Sequence, residues 1–351
     1  MFKLLFTLLW LIALPCILTA TSLYARIGWT AIAFIGLFFE KFSSRMFGAV
    51  CVAAAFYAGQ TMVPAMLNVD TYQPKVKVED RFFNSPKVKA HPLLPVAEAE
   101  ISRLGMLFSQ PLLFGGTLQR GFDLFLKTTA TYTGCNLQNI SSQGLVELVQ
   151  DRSSKFEYNH YYEIVPTVAL DRSKGIFVFN HGAMGNFKIY TCLLTELAEE
   201  LRQVIVVPSR GVGPCDPEAS AEFISKIVDA AADRNAISSD NHVLMGLSNG
   251  NCGVLAAADP DFSRAQFARS RLILSSPVLP KPLINNVRNA EILVLTGEDD
   301  KQTDFEYVKQ GVNDLKKAGA DVTFHHFPKE DHFLMLSNWR ELLPIIKNWL
   351  E

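Results

Sequence analysis

The stretch Val243-Leu244-Met245-Gly246-Leu247-Ser248-Asn249-Gly250 constrains this chain more than any other. A short apolar run is delivered straight into a Gly-x-Ser-x-Gly turn, and the helix-compatible Cys252–Ala258 follows it. Flanking glycines allow close backbone approaches that a side chain would block, so a strand can turn sharply into a helix with a serine on the turn. Glycine and serine are common in ordinary turns. The pattern therefore gains its weight from the strand before it, the helix after it and the residues downstream.

The surrounding sequence is regular. Ile176–Asn180 reads as a buried strand, Tyr190–Leu201 as a helix and Val204–Pro208 as a second strand. Pro217 opens a helix carrying Phe223, Ile224, Ile227, Val228 and Ala231 on one face. Leu272–Leu274 and Ile292–Leu295 are further strands, a helix covers Phe305–Ala318, and Val322–Phe327 is the last strand before a closing helix at Trp339–Leu350. Upstream, Phe156–Val165 and the turn Asp171–Gly175 form an entry strand and hairpin. Short apolar strands alternating with helices predict an α/β fold, a mostly parallel sheet covered on both faces.

In such a sheet the reactive groups belong at the carboxyl ends of the strands. Four stretches occupy that position: His181-Gly182-Ala183-Met184-Gly185, the turn at Ser248, Thr296-Gly297-Glu298-Asp299-Asp300, and Pro328-Lys329-Glu330-Asp331-His332-Phe333. The chain order Ser, Asp, His and these four elements together resemble the α/β-hydrolases over residues 175–351. The resemblance implies a nucleophile elbow at Ser248, with Asp300 as orienting acid and His332 as general base. It also implies an oxyanion hole built from the backbone N–H groups of Asn249 and Ala183, with Gly182, Gly246 and Gly250 as the elbow and loop glycines. A serine hydroxyl is a weak nucleophile until a base takes its proton, and the imidazole needs a carboxylate to hold its tautomer.

Other residues compete for these roles. Asp299 and Asp304 flank Asp300, which the Gly-x-x-Asp spacing favours. His325 and His326 lie within strand-like sequence, where one faces the core or a helix and the other the opposite side, whereas His332 follows the strand on a loop. His181 reads as a structural residue beside the oxyanion loop, and His91, His160 and His242 as surface or satisfied core residues. Asn251 stands where many α/β-hydrolases carry another small residue, which implies looser packing of the elbow helix. The segment between Leu274 and Glu291 leaves no room for a helical lid, so the separations resemble lidless carboxylesterases, thioesterases and dienelactone-hydrolase-like enzymes.

The first 67 residues differ in kind. From Leu4 to Leu67 the chain is almost continuously apolar, broken only by Arg26 and by Glu40–Arg45. Leu4–Ala25 and Met46–Leu67 are each long enough to span a bilayer, which takes about 20 apolar residues, while Ile27–Phe39 is too short. A secretory signal peptide starting at Lys3 is the competing reading of the first run. The expectation is an integral membrane protein with transmembrane helices in residues 1–67. Residues 68–155 then form a linker and helical segment, and 156–351 the hydrolase domain. Lys75, Lys77, Arg81 and Lys87 lean that domain towards the cytoplasm, and Lys41 and Arg45 pull the other way. Cys16, Cys51, Cys135, Cys192, Cys215 and Cys252 show no metal or redox spacing and read as ordinary small residues, with disulfides left open.

A formal net charge of −2 offers nothing to nucleic acid. The resemblance implies a membrane-anchored serine hydrolase acting on an ester or thioester, with no metal or organic cofactor. The tether near a bilayer favours a small-molecule or lipid-derived ester. The alternative from another class is an inactive hydrolase-fold membrane protein that serves as a binding or scaffolding module.

Overall fold

The computed structural model describes residues 13–20, 23–37, 48–59, 74–86, 88–90, 105–107, 110, 112, 115–135, 142–143, 146, 159–182, 188–209, 215–260, 262, 267, 270–285 and 287–351. The chain divides into two compact units, Met1–Gln73 with His91–Ile140 and Pro74–Ala90 with Ser141–Glu351.

The first unit is helical among its described residues, with α1 at Leu23–Leu37, α2 at Leu118–Cys135 and further helix at 13–19 and 48–59. Ala13, Ile17, Ala33, Val52 and Ala55 make its small core. Arg26 is buried there, and its guanidinium donates to the carbonyls of Ile17 (3.0 Å) and Ala20 (2.7 Å). Those carbonyls end the helix at 13–19, where a cation satisfies the last acceptors and the negative end of the helix dipole. The helix at 13–19 therefore ends within the run Leu4–Ala25, of which 4–12 and 21–22 lie outside the described residues. At 15 residues α1 is about 22 Å long, short of the roughly 30 Å hydrocarbon core of a bilayer. No helix among the described residues is long and apolar enough to cross a membrane.

The second unit carries an eight-stranded sheet in the order β1-β2-β4-β3-β5-β6-β7-β8. Its strands are β1 Val76–Phe82, β2 His160–Pro166, β3 Phe177–Asn180, β4 Ile205–Pro208, β5 Val243–Leu247, β6 Arg271–Ser275, β7 Glu291–Gly297 and β8 Asp321–Phe327. β1 and β2 pair antiparallel with their neighbours, and the rest of the sheet is parallel. This is an α/β fold with a mixed, mostly parallel sheet, the class that the alternating strands and helices predict. The helices are α3 Lys188–Leu201, α4 Pro217–Asn235, α5 Gly250–Ala258, α6 Lys281–Ile284, α7 Phe305–Lys317, α8 Leu334–Ser337 and α9 Trp339–Leu350. Strands β3, β4 and β5 are buried at every position, as continuous apolar runs in a doubly covered sheet require. Asp216 caps α4 by accepting from Ala219 N, with Pro217 in the first turn. Among the described residues between β6 and β7 the only helix is the single turn α6, as the short segment predicts.

Two features depart from the sequence reading. The stretch read as linker contains β1, whose Val76 to Phe82 pair residue by residue with Pro166 to His160. An edge strand pairs on one side and needs little apolar content, so VKVEDRF leaves a weak periodic signal. Buried Glu163 on β2 fixes this edge to α4, accepting from Arg234 (2.6 and 3.0 Å) and Asn235 (2.9 Å), with Arg81 at 3.4 Å.

The second departure is a disulfide. Cys215 and Cys252 are bonded, with Cα atoms 6.2 Å apart and a sequence separation of 37. The bond joins the entry to α4 with α5. Reduction should lower the unfolding free energy by about 2–4 kcal/mol, because it releases loop-closure entropy to the unfolded chain. Urea unfolding with and without a reductant measures this as a lower midpoint.

Candidate active site

Ser248 lies between β5 and α5 with a positive φ of 53°. A non-glycine residue held in that region costs about 1–3 kcal/mol and persists only when its surroundings over-determine it. Here they do. Ser248 N donates to Ser275 O at 2.9 Å, and Ser248 O accepts from Asn251 N (3.1 Å), Asn251 Nδ2 (2.8 Å) and Val278 N (3.3 Å). The glycines are needed for space. A Cβ on Gly250 would lie 2.1 Å from Asn180 O, and one on Gly246 2.6 Å from Asn251 Oδ1.

The strand before the first loop reaches the same place. Asn180 Nδ2 at the end of β3 donates to Gly250 O at 2.8 Å. A Cβ on Gly182 would approach Ser248 Cβ to 3.0 Å and its Oγ to 3.6 Å, so this loop backs directly onto the serine. His181 is buried and its Nδ1–H donates to Gly182 O at 2.9 Å, the structural position the sequence suggests. Asn249 occupies the N-cap of α5. Ala183, the other expected oxyanion donor, lies outside the described residues, as do Met184 and Gly185.

The acid and the imidazole meet across the loops after β7 and β8. Asp299 N donates to Glu330 O at 2.9 Å, and a Cβ on Gly297 would lie 2.2 Å from that same carbonyl, so the two loops are stitched backbone to backbone. His332 Nδ1 is 2.8 Å from Asp300 Oδ2. Asp300 is buried and fully partnered: Oδ1 accepts from Gln302 N (2.8 Å) and Thr303 N (2.9 Å), and Oδ2 also accepts from Thr303 Oγ1 (2.7 Å). Burial alone raises its pKa, but the hydrogen bond and charge of His332 and the Thr303 donors outweigh it and hold the carboxyl below its ordinary value. An ionised carboxylate only accepts, so His332 donates from Nδ1, and in the neutral imidazole Nε2 then keeps the lone pair.

The competitors are elsewhere. Asp304 is spent as the N-cap of α7, accepting from Glu306 N and Tyr307 N, and Asp299 is exposed. His326 is half-exposed, with Nδ1 at 2.5 Å from Glu298 Oε1. His242 is buried at the opposite edge, where burial lowers its pKa and its Nδ1 accepts from Ile176 N at 3.0 Å. His91 lies outside the described residues. Ser248, Asp300 and His332 thus stand at one edge of the sheet, after β5, β7 and β8. The structure forms the Asp300–His332 hydrogen bond and, among the described residues, none between His332 and the Ser248 hydroxyl. Such bonds are often long before substrate binds. Among the described residues no group of three His, Cys, Asp or Glu side chains is placed to hold a metal ion.

No family model matches the chain, and no curated protein matches it in sequence. Solved structures similar to it include EstE1, a thermostable carboxylesterase cloned from a metagenomic library, at 15% identity, 55% of this chain, 85% of that one and a TM-score of 0.45. The esterase of Pyrobaculum calidifontis is similar at 15% identity over 54% of this chain and 80% of that one, TM-score 0.45. Thermogutta terrifontis esterase 2, solved as the tabun adduct, is similar at 17% identity over 54% and 88%, TM-score 0.45.

Asn251 is the residue that the sequence reading undervalued. It is fully buried, not a source of loose packing, and its amide donates to the carbonyls of both Ser248 (2.8 Å) and Ser275 (3.1 Å). It pins the carbonyl of the strained residue to the neighbouring strand. Its short polar side chain at the second position of the elbow helix is the available signal. Asn251→Ala should cost about 1–2 kcal/mol for the two lost bonds. It should also lower kcat about 10- to 100-fold through misplacement of Ser248, with KM little changed. Urea unfolding and steady-state ester hydrolysis report the two effects separately.

Proposed function

We propose that this chain is a serine hydrolase that cleaves a carboxylic ester or thioester through an acyl-enzyme intermediate. The observation that carries the reading is a strained, positive-φ serine at a strand-to-helix turn, on the same sheet edge as a buried Asp–His pair. Ser248 Oγ attacks the carbonyl carbon and passes its proton to His332 Nε2. His332 returns the proton to the leaving group, whose bond to the acyl carbon breaks, and water releases the acid by the same steps in reverse roles. Asp300 holds the tautomer and stabilises the imidazolium. The backbone N–H groups of Asn249 and Ala183 are the proposed oxyanion donors.

We further read residues 1–67 as the membrane attachment and a lipid-derived ester as the favoured substrate. Supporting this are the apolar sequence of that region and the outward-facing Ile27, Ile35, Val50 and Tyr57, each at least half exposed. The Cys215–Cys252 disulfide supports a location in an oxidising compartment, against the cytoplasmic lean of the lysines after Leu67.

The test is labelling of full-length protein in detergent with a fluorophosphonate probe, followed by peptide mapping. Adduct on Ser248, lost in His332→Ala, supports the reading, and folded protein that takes no label on Ser248 overturns it.

A further inference from the structure

A second serine, histidine and aspartate are assembled in this unit, at residues that no motif in the sequence marks. His160, at the start of β2, is buried, with Nδ1 2.5 Å from Ser209 Oγ and Nε2 3.0 Å from Asp80 Oδ1. Three separate elements bring them together. Asp80 on β1 is the diagonal neighbour of His160, since Phe82 pairs with His160 and Asp80 with Tyr162. Ser209 follows β4, and its N–H donates to His160 O at 2.9 Å. The imidazole is held between the rings of Phe82 (4.7 Å) and Tyr162 (4.5 Å).

The direction of the proton chain follows from chemistry. The Asp80 carboxylate only accepts, so His160 carries its proton on Nε2. In the neutral imidazole Nδ1 is then a lone pair, and the Ser209 hydroxyl donates to it. That is the electronic arrangement of a serine with its base in place. β4 runs parallel to β3 and β3 to β5, so Ser209 emerges at the same sheet edge as Ser248, two strands and about 10 Å away.

We propose that Ser209 is a second activated serine, with His160 as its base and Asp80 as the group that orients it, reactive towards activated carboxylic esters and organophosphorus esters. With a phosphonofluoridate, the Ser209 Oγ–P bond forms, the P–F bond breaks, the hydroxyl proton passes to His160 Nδ1 and fluoride leaves. The alternative is a polar staple holding β1 and β2 to β4, and it predicts no covalent chemistry.

The experiment uses full-length Ser248→Ala protein, a fluorophosphonate probe and peptide mapping by mass spectrometry. Adduct on Ser209 is expected, forming about 100-fold faster than in Ser248→Ala/Asp80→Asn or Ser248→Ala/His160→Gln, the usual scale of a general base. Folded Ser248→Ala without adduct on Ser209 overturns the proposal, as does labelling that survives both base variants undiminished. If the double variants do not fold, the Ser248→Ala arm decides alone. The site of the adduct separates this proposal from the reading of Ser248, which rests on wild-type label at Ser248.

Discussion

Ser248→Ala should lower turnover of a short-chain aryl ester by about 10⁵- to 10⁶-fold, leaving what binding, the oxyanion donors and a much slower acylation of Ser209 supply. The alanine methyl occupies the place of Cβ, so the close packing against Gly182 and every backbone bond at residue 248 remain. The melting midpoint should therefore stay within about 0.5 kcal/mol of wild type on the free-energy scale, as for substitutions that break no packing or buried bond. A serine that merely fills a turn predicts the same stability and unchanged hydrolysis. Initial rates and thermal unfolding, measured on one preparation, separate the two. Hydrolysis that survives in Ser248→Ala and vanishes in Ser248→Ala/Ser209→Ala would move the chemistry to the second serine.

The parts of this unit that sequence made legible are those with a local cause. The apolar runs of β3, β5 and β7 announce buried parallel strands, because neither face of such a strand meets water. Gly246 of the elbow is legible because the space it leaves is set by Asn251, five residues on. Asp300 is separable from Asp304 by position, since the structure uses Asp304 to cap α7. What escaped depends on contacts distant in the chain. β1 is 78 residues from its partner at the Phe82–His160 pair and needs only one paired edge. Cys215 and Cys252 come together only once α4 and α5 pack. The Asp80–His160–Ser209 chain depends on the first of these, β1, and nothing in its spacing foretells it. Asn251 looked like a small defect and is a tie between two strands, because the value of a buried amide depends on which carbonyls face it.

Asp300→Asn should lower kcat by about 10⁴-fold while leaving the fold in place, the scale expected when the imidazole loses the acceptor that fixes its tautomer. The carboxylate receives four donors: His332 Nδ1, Thr303 Oγ1, and the N–H groups of Gln302 and Thr303. An asparagine amide turns N–H groups towards some of them, and His332 is then free to place its proton on Nε2, where it no longer serves as base. The opposition of donors should cost about 1–3 kcal/mol of stability at neutral pH. The pH dependence follows from the sign of the shift. Burial works to raise the Asp300 pKa, yet the His332 and Thr303 interactions leave it lowered in the folded state. Its stabilising contribution is therefore fully present above the unfolded carboxylate value of about 3.9 and is lost as pH falls through the lowered folded value. Urea midpoints between pH 6 and pH 2.5 should fall more steeply for wild type than for Asp300→Asn, which has no proton to take up at this position. Parallel curves would mean that Asp300 is not ionised beside His332, and the general-base assignment of His332 would fall with it.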